Sequence, residues 1–455
     1  MSVRELKIGT SWVRGAIGDA LPPELVVNFA CAFGTWCGGE AVVIGRDTRS
    51  SSPMLRSAVI AGLLSCGCEV IDLGICSSPL LSFAVRDMGA SGGIAITGSH
   101  NGIRWNALKF FGSDGVLLSS SKSEELMDLY HASAYLQAPW DAIRPVAEAP
   151  DRIDRYLEHI LSCLDTPLLR RRGFRLAMDF CNGACGEVAA RFLEGIGCTL
   201  LPLNEDPTGE FAHAPAPSVS NMRQLSSFLR CIRVDLGAAI NIDGDRLGLA
   251  LPDGRALSEE FVLPLTALHR LAHRPGTVVT SLSTSQMVDA VARRFQQEVL
   301  RVPIGEGSVM DRGLAEGAVL AGEGSGGVAA LPVAMSFDAL LTLGIVLESM
   351  ARRDCTLWDL TEEIPRLEMR KGSLPCPPAI VHRVLEGFRK SYLGEELDTA
   401  DGLRIRWEDA WLHIRASNTE PILRIIAEAR TADRADSIYG EAMNYARRTA
   451  FQSGG

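Results

Sequence analysis

A recurring alternation of short apolar runs and longer amphipathic stretches leaves this chain few folds to adopt. Residues 41–47, AVVIGRD, read as a strand running into a turn. Residues 55–67 then carry apolar side chains at helical spacing and stop at Gly67, and residues 68–74, CEVIDLG, read as a second buried strand. The plan returns after the Pro-rich segment 138–151: helix 152–164, strand 175–180, helix 186–195, strand 198–203. It returns again beyond the turn at Asp253 and Gly254, with helix 258–273, strand 277–282, helix 285–296 and a strand near 299–304. Runs of this kind, bounded by helices, predict α/β layers with mixed sheets. The last hundred residues change style. WEDAWLHIRAS and EPILRIIAEAR alternate as antiparallel strands do, and the final stretch closes as a helix, which predicts an α+β domain. The expected division is 1–148, 149–254, 255–367 and 368–455.

Composition narrows the partners. The chain has 455 residues, enough for several domains that each bury a core, and 47% of them are hydrophobic without any run of membrane-spanning length. Lys and Arg number 45 against 55 Asp and Glu, a net charge of -10, which argues against nucleic acid as a partner. An anionic ligand must therefore be met by local groups. The start, MSVRELKIGTSWVRG, lacks the apolar core of a signal peptide, so a cytoplasmic location is expected, with no membrane partner. The twelve cysteines are spread along the chain and read as reduced thiols; Cys66/Cys68 and Cys181/Cys185 lack zinc spacing.

Four loops carry the chemistry. In GGIAITGSHNGIRWNALKFFGSDG (92–115) a buried run ends in Thr97-Gly98-Ser99-His100-Asn101. A serine there projects from a strand end, and Asn106 and Lys109 follow, although an Asx-type loop would serve the pentapeptide alone. In AAINIDGDRLGLALPDG (238–254) the oxygens of Asn241, Asp243 and Asp245 alternate, a pattern suited to Mg²⁺, and Arg246 follows. A calcium loop is disfavoured because no glutamate follows at the required spacing; a structural turn stays open. LAGEGSGGV (320–328) offers Glu323 and Ser325 in a glycine-rich turn, where a bland loop is the alternative. HIRASNTEPILRI (413–425) gathers Arg415, Ser417, Asn418 and Thr419 in one turn, with Arg424 beyond it, as a phosphate monoester requires.

Taken in order, these segments resemble the α-D-phosphohexomutase superfamily along the whole chain. The family turn G-T-S-G-[IV]-R-G is matched by Gly9 to Gly15, and G-R-D-[TS]-R by Gly45 to Arg49. Thr97 to Asn101 match the phosphoserine loop, Asn241 to Arg246 the metal loop D-x-D-x-D-R, Gly322 to Gly326 the sugar loop, and Arg415 to Pro421 the phosphate loop. Within the superfamily the motifs look most like archaeal and Bacteroidetes phosphoglucosamine mutases. The resemblance implies a heart-shaped enzyme with three similar α/β domains, a last domain like the TATA-box-binding protein, and a central cleft. It implies that Ser99 carries phosphate and that Mg²⁺ is held by that phosphate with Asn241, Asp243 and Asp245. Arg14 and Lys109 would flank the transferring group. Lys109 is the first candidate for proton transfer and His100 the second; a lysine base needs a pKa lowered towards neutral. Arg246, Glu323, Ser325, Arg415, Ser417, Asn418, Thr419 and Arg424 would bind substrate. Hexose 1- and 6-phosphates would interconvert through a hexose 1,6-bisphosphate, which doubles as activator, in a monomer or homodimer.

The chain departs from the pattern at several places. Asn241 replaces an aspartate, so one negative charge is lost from the metal loop. Trp12 stands where the family has glycine, which demands a different backbone if the turn needs a positive φ. Gly102 replaces a proline, and Glu306 and Gly307 stand where the family has a Lys or Arg. The alternatives are phosphomannomutase or phosphoglucomutase specificity, and a sugar-phosphate binding protein that has lost or slowed the mutase reaction. A nicotinamide enzyme is disfavoured, since Gly322 to Gly327 lack the G-x-G-x-x-G spacing.

Overall fold

The computed structural model describes residues 6–417 and 421–451. Its three α/β units repeat one topology. In the second unit, strand Arg175–Asp179 lies between parallel neighbours Thr199–Leu203 and Leu236–Ile240, and Leu247–Ala250 returns antiparallel beside Leu236–Ile240. In the third, Val278–Ser281 lies between Val299–Val302 and Leu320–Gly322, with Val328–Ala330 antiparallel at the edge. In the first, Val42–Arg46 lies between Val70–Ile75 and Gly92–Ile96, with Trp105–Gly112 antiparallel. Here the sheet grows to seven strands by adding Trp12–Ala16, Lys7–Ile8 and Ala147–Glu148.

This repetition places function. The connection from the third to the fourth strand of each unit spans residues 97–104, 241–246 and 323–327, which are three of the four loops singled out from sequence. Each leaves the carboxyl end of a parallel strand, where open α/β sheets bind their ligands.

Helix ends follow local chemistry. The helix expected from residue 55 starts earlier, at Ser52, because Pro53 fits its first turn. The helix expected from 258 opens as a 3₁₀ turn, Glu259–Phe261, with the Ser258 hydroxyl accepting from the Glu260 N–H, and becomes α-helical over Val262–His273.

One continuous apolar core runs through the first three units, from Leu80 and Val85 through Leu176, Met178 and Phe192 to Leu263, Leu343 and Val346. The fourth unit is a five-stranded antiparallel sheet with its own core around Phe388, Ile405, Leu412 and Ile425, covered by helices Pro378–Ser391 and Ala432–Phe451. It meets the third unit through polar contacts. His413 Nδ1 lies 2.7 Å from Ser283 Oγ, Glu428 Oε1 accepts from the Gln286 N–H at 2.9 Å, and Lys371 Nζ donates to Glu260 Oε1 at 2.7 Å. All twelve cysteines are free thiols, and among the described residues no helix is long and apolar enough to cross a membrane.

Helix Ala339–Arg353 is buried along most of its length and carries one carboxylate inward. Glu348 accepts from Arg352 Nε at 2.8 Å and the Asp165 N–H at 3.2 Å, with His269 Nε2 at 3.6 Å. Burial opposes its charge, but the bonds from His269 and Arg352 prevail and lower its pKa to about 2. A lowered folded-state value stabilises above the unfolded value and is lost as pH falls through about 2. Glu348→Gln is therefore expected to lower the melting temperature by about 2–4 °C at pH 7, with the gap to wild type closing between about pH 4.5 and 2. Thermal unfolding across that range checks it.

Candidate active site

Ser99 occupies the turn after Gly92–Ile96 with φ 48°, a left-handed conformation that few non-glycine residues adopt. The surroundings hold it there. Its N–H donates to Thr97 Oγ1 at 2.9 Å, and Arg49 Nη2 donates to the carbonyl oxygens of Ser99 and Asn101 at 2.9 and 2.6 Å. Arg49 has no exposed surface and is ion-paired to Asp47, which also accepts from Ser52 Oγ at 2.6 Å. Sequence reasoning noted this motif and missed its task, which is to brace the backbone of the serine turn.

Antiparallel pairing aligns Trp12 with Lys109 and Arg14 with Ala107, so Trp12, Arg14 and Lys109 share a face of the sheet. Trp12 lies in extended strand, so no positive φ is asked of it. Its ring instead stacks under the Arg14 guanidinium at 4.4 Å and covers Gly9, where a Cβ would meet the indole at 2.4 Å. Arg14 Nη1 donates to Asn101 Oδ1. Burial and the neighbouring Arg246 bring its pKa down to about 10, so it remains charged at neutral pH. Asn106 faces the other way and donates to Ser51 and Ser52.

The loop 241–246 faces Ser99. Ser99 Oγ lies 3.3 Å from both Asp245 Oδ2 and Asn241 Nδ2. Lys109 Nζ lies between the carboxylates, 2.7 Å from Asp243 Oδ2 and 2.8 Å from Asp245 Oδ2. Asn241 turns its amide nitrogen to the same pair, at 2.9 and 2.6 Å, while its Oδ1 accepts from the Arg246 N–H at 3.0 Å. Its side-chain carbonyl oxygen is thus engaged by the backbone.

These contacts decide protonation. Burial pulls the Lys109 ammonium down, but Asp243 and Asp245 outweigh it and raise the pKa above the ordinary lysine value. The lowered pKa expected for a lysine base is not found. Asp245 is buried, yet Lys109 and Arg246 hold its pKa below the usual carboxylate range. His100 is pushed well below its ordinary value by Arg246, burial and Arg14, so its imidazole is neutral, and its buried Nδ1 has no partner among the described residues. Glu306, at the start of helix Glu306–Ala315, accepts from the Phe337 N–H at 2.9 Å. Burial raises it to about 7 against the pull of Lys109. The sequence marked this position only for the cation it lacks.

The third and fourth units supply the far wall. Glu323 is buried and accepts from the Gly305 N–H at 2.9 Å; burial raises its pKa, while Arg246 and Arg415 both act on it to lower it. Ser325 Oγ is buried with no partner among the described residues. Arg415 Nε donates to Asp401 Oδ1 at 3.0 Å, and Asp401 Oδ2 accepts from the Ile304 N–H at 3.0 Å, tying the fourth loop to the third unit. Arg424 pairs across the hairpin with Arg415, and the Ser417 N–H donates to the Ile422 carbonyl. Asn418 and Thr419 lie outside the described residues.

A strained, braced serine facing buried carboxylates and flanked by cations is an arrangement suited to phosphoryl transfer. Comparison with known proteins supplies the family. Profiles described as phosphoglucomutase/phosphomannomutase alpha/beta/alpha domains I, II and III match residues 5–136, 154–254 and 259–367, and that family's C-terminal domain matches 377–444. A protein named as a probable phosphoglucosamine mutase from Methanopyrus kandleri is 32% identical over 97% of both chains. A phosphoglucomutase/phosphomannomutase from Thermococcus kodakarensis is 32% identical over 94% of this chain and 95% of its own. A crystal structure of a phosphoglucomutase/phosphomannomutase family protein from Burkholderia thailandensis superposes with a TM-score of 0.85 at 27% identity, covering 98% of this chain and 97% of that one. The chain belongs to the phosphoglucomutase/phosphomannomutase family, whose members are intramolecular phosphotransferases.

Arg49→Lys is expected to lower kcat about 100-fold with a small change in KM, because an ammonium cannot grip two carbonyls and the serine turn shifts. Steady-state kinetics with hexose 1-phosphate checks this, with unchanged circular dichroism as the control.

Proposed function

We propose that this protein interconverts hexose 1-phosphates and hexose 6-phosphates through phospho-Ser99 and a hexose 1,6-bisphosphate, with glucosamine phosphate as the favoured substrate. The observation that carries the reading is the Ser99 hydroxyl set 3.3 Å from Asp245 and Asn241 with Lys109 bridging the carboxylates. In the first half reaction the bond from Ser99 Oγ to phosphorus breaks and a sugar hydroxyl takes the phosphoryl group. The bisphosphate then turns over and returns its other phosphate to Ser99.

Arg14 and Lys109 meet the charge on the oxygens in transit. Lys109, held as an ammonium, is suited to donating a proton to the leaving oxygen. Removal of the hydroxyl proton falls to Glu306, whose carboxyl is pushed up to about 7 by burial. His100 keeps a neutral ring beside the serine. Arg415, Ser417, Asn418, Thr419 and Arg424 hold the phosphate that is not reacting, while Arg246, Glu323 and Ser325 meet the sugar in either orientation. Bound hexose 1,6-bisphosphate would reload Ser99 and so activate the enzyme.

The site suits Mg²⁺ in part. Asp243, Asp245 and phosphate oxygens on Ser99 are hard donors of the kind it takes, and among the described residues they make up no three-carboxylate cage. Bound there, Mg²⁺ would neutralise phosphoryl oxygens. Asn241 contributes an oxygen only by giving up the Arg246 N–H. The proposed enzyme would act in the cytoplasm, as a monomer or homodimer.

³¹P NMR tests the reading, using Mg²⁺, a trace of glucose 1,6-bisphosphate and, in turn, glucosamine 6-phosphate, glucose 1-phosphate and mannose 1-phosphate. Exchange between 1- and 6-phosphate signals is expected, fastest with glucosamine phosphate; silence with all three from folded protein favours a binding protein. Ser99→Ala should abolish exchange and leave hexose-phosphate affinity within about threefold. Asn241→Asp should tighten Mg²⁺ about tenfold, since a carboxylate keeps the Arg246 bond with one oxygen and offers the other. Unchanged affinity in a metal titration would place residue 241 outside the coordination sphere.

A further inference from the structure

Behind the loop 241–246, at the seam between the first and second units, lies a cavity of about 400 Å³. None of the proposed catalytic or substrate-binding residues lines it. Its floor is Cys76, Ser77 and Leu80, and its walls include Arg46, Arg152 and the first turn of helix Gly186–Gly195, which has no side-chain cap. Glu187 and Glu205, both exposed, stand at its mouth.

The two guanidiniums are underused. Arg46 Nη1 donates to the Asp47 carbonyl at 3.1 Å and Arg152 Nη1 to the Ala149 carbonyl at 3.3 Å. Among the described residues neither meets a carboxylate within ion-pair distance, and the buried Nε of Arg152 has no partner. Both line the cavity together with Cys76. Two arginine forks lining one cavity suit a phosphate monoester. Glu187 and Glu205, which line the same cavity, suit hydroxyls or an ammonium. The volume is that of a small-metabolite pocket.

We propose that this cavity is a second ligand site, for a small phosphate monoester whose other end carries hydroxyl or amino groups. Arg46 and Arg152 take the phosphate, and Glu187 and Glu205 take the hydroxyl or amino groups. The floor is joined to the metal loop: the Ser78 N–H donates to the Asp243 carbonyl at 2.8 Å, Ser78 Oγ to Asp243 Oδ2 at 2.9 Å, and the Ala184 N–H to the Ile242 carbonyl at 2.8 Å. Occupancy therefore bears on the loop that faces Ser99, from outside the cleft.

Calorimetric titration of the full chain with glucosamine 6-phosphate, without Mg²⁺, tests this apart from any turnover. Wild type should bind two equivalents, and Arg152→Gln should lose one while the other keeps its affinity; at least a tenfold loss is expected at the affected site. Arg152 stands outside the cleft, so mutase activity at saturating substrate should be retained and reports that the variant is folded. A single equivalent in wild type, which needs no variant to observe, overturns the proposal. So do two equivalents that both survive in Arg152→Gln.

Discussion

Two carboxylates buried beside a serine hydroxyl set the terms for everything around them. Removing a charge from water costs several kcal/mol unless partners replace the solvent. Asp243 and Asp245 are almost wholly enclosed, and their partners come from different parts of the chain. Lys109 reaches them from the first unit, Asn241 from their own loop, and Ser78 from the helix Ser78–Asp87. Separating the first two units would strand these charges. The shared apolar core beneath them, running from Leu80 to Phe192 and on to Val346, keeps that separation from happening. Electrostatic need at the top of the sheets and hydrophobic burial below act in the same direction.

The fourth unit is joined on different terms. Its contacts with the third are hydrogen bonds and ion pairs, His413 to Ser283, Glu428 to Gln286 and Lys371 to Glu260, with its apolar core kept to itself. Burial lowers the His413 pKa to about 4, so it makes its bonds as a neutral ring at physiological pH. Polar interfaces of this kind open at smaller cost than a divided apolar core. On the proposed function, this division would serve a bisphosphate that must turn over: the reacting groups would stay with the shared apolar core, and the loop proposed to hold the other phosphate would belong to the unit joined by polar contacts.

What the sequence disclosed followed from local rules. Residues 41–47, 175–180 and 277–282 read as strands because continuous apolar runs bounded by helices have few other uses, and the strands form within a residue or two of those limits. The loops were legible because serine, paired carboxylates and clustered arginines at strand ends are not what packing selects. Other features depended on distant parts of the chain. That Arg49 would spend its guanidinium on the carbonyls of residues 99 and 101 is a tertiary fact. So is the burial of Glu306 near Lys109, separated from it by almost two hundred residues of sequence. Trp12 looked like a backbone problem because a family glycine was missing; the strand it joins removes the problem, and Gly9 makes the room its ring requires.

Asn241 shows how one atom changes the electrostatics of the site. An aspartate there would add a third negative charge, which only further cations could offset. The amide instead brings two N–H donors to Asp243 and Asp245 and uses its oxygen to close the turn at Arg246. Before any phosphate or metal arrives, the loop is therefore close to balanced: two carboxylates against the Lys109 ammonium and the Arg246 guanidinium, whose Nε lies 3.7 Å from Asp245 Oδ1. A phosphate on Ser99 upsets that balance by adding up to two negative charges within reach of Asp245. On the proposed function, the unphosphorylated chain rests with its charges paired internally, while one phosphorylated at Ser99 would draw on Arg14 and a cation from solution.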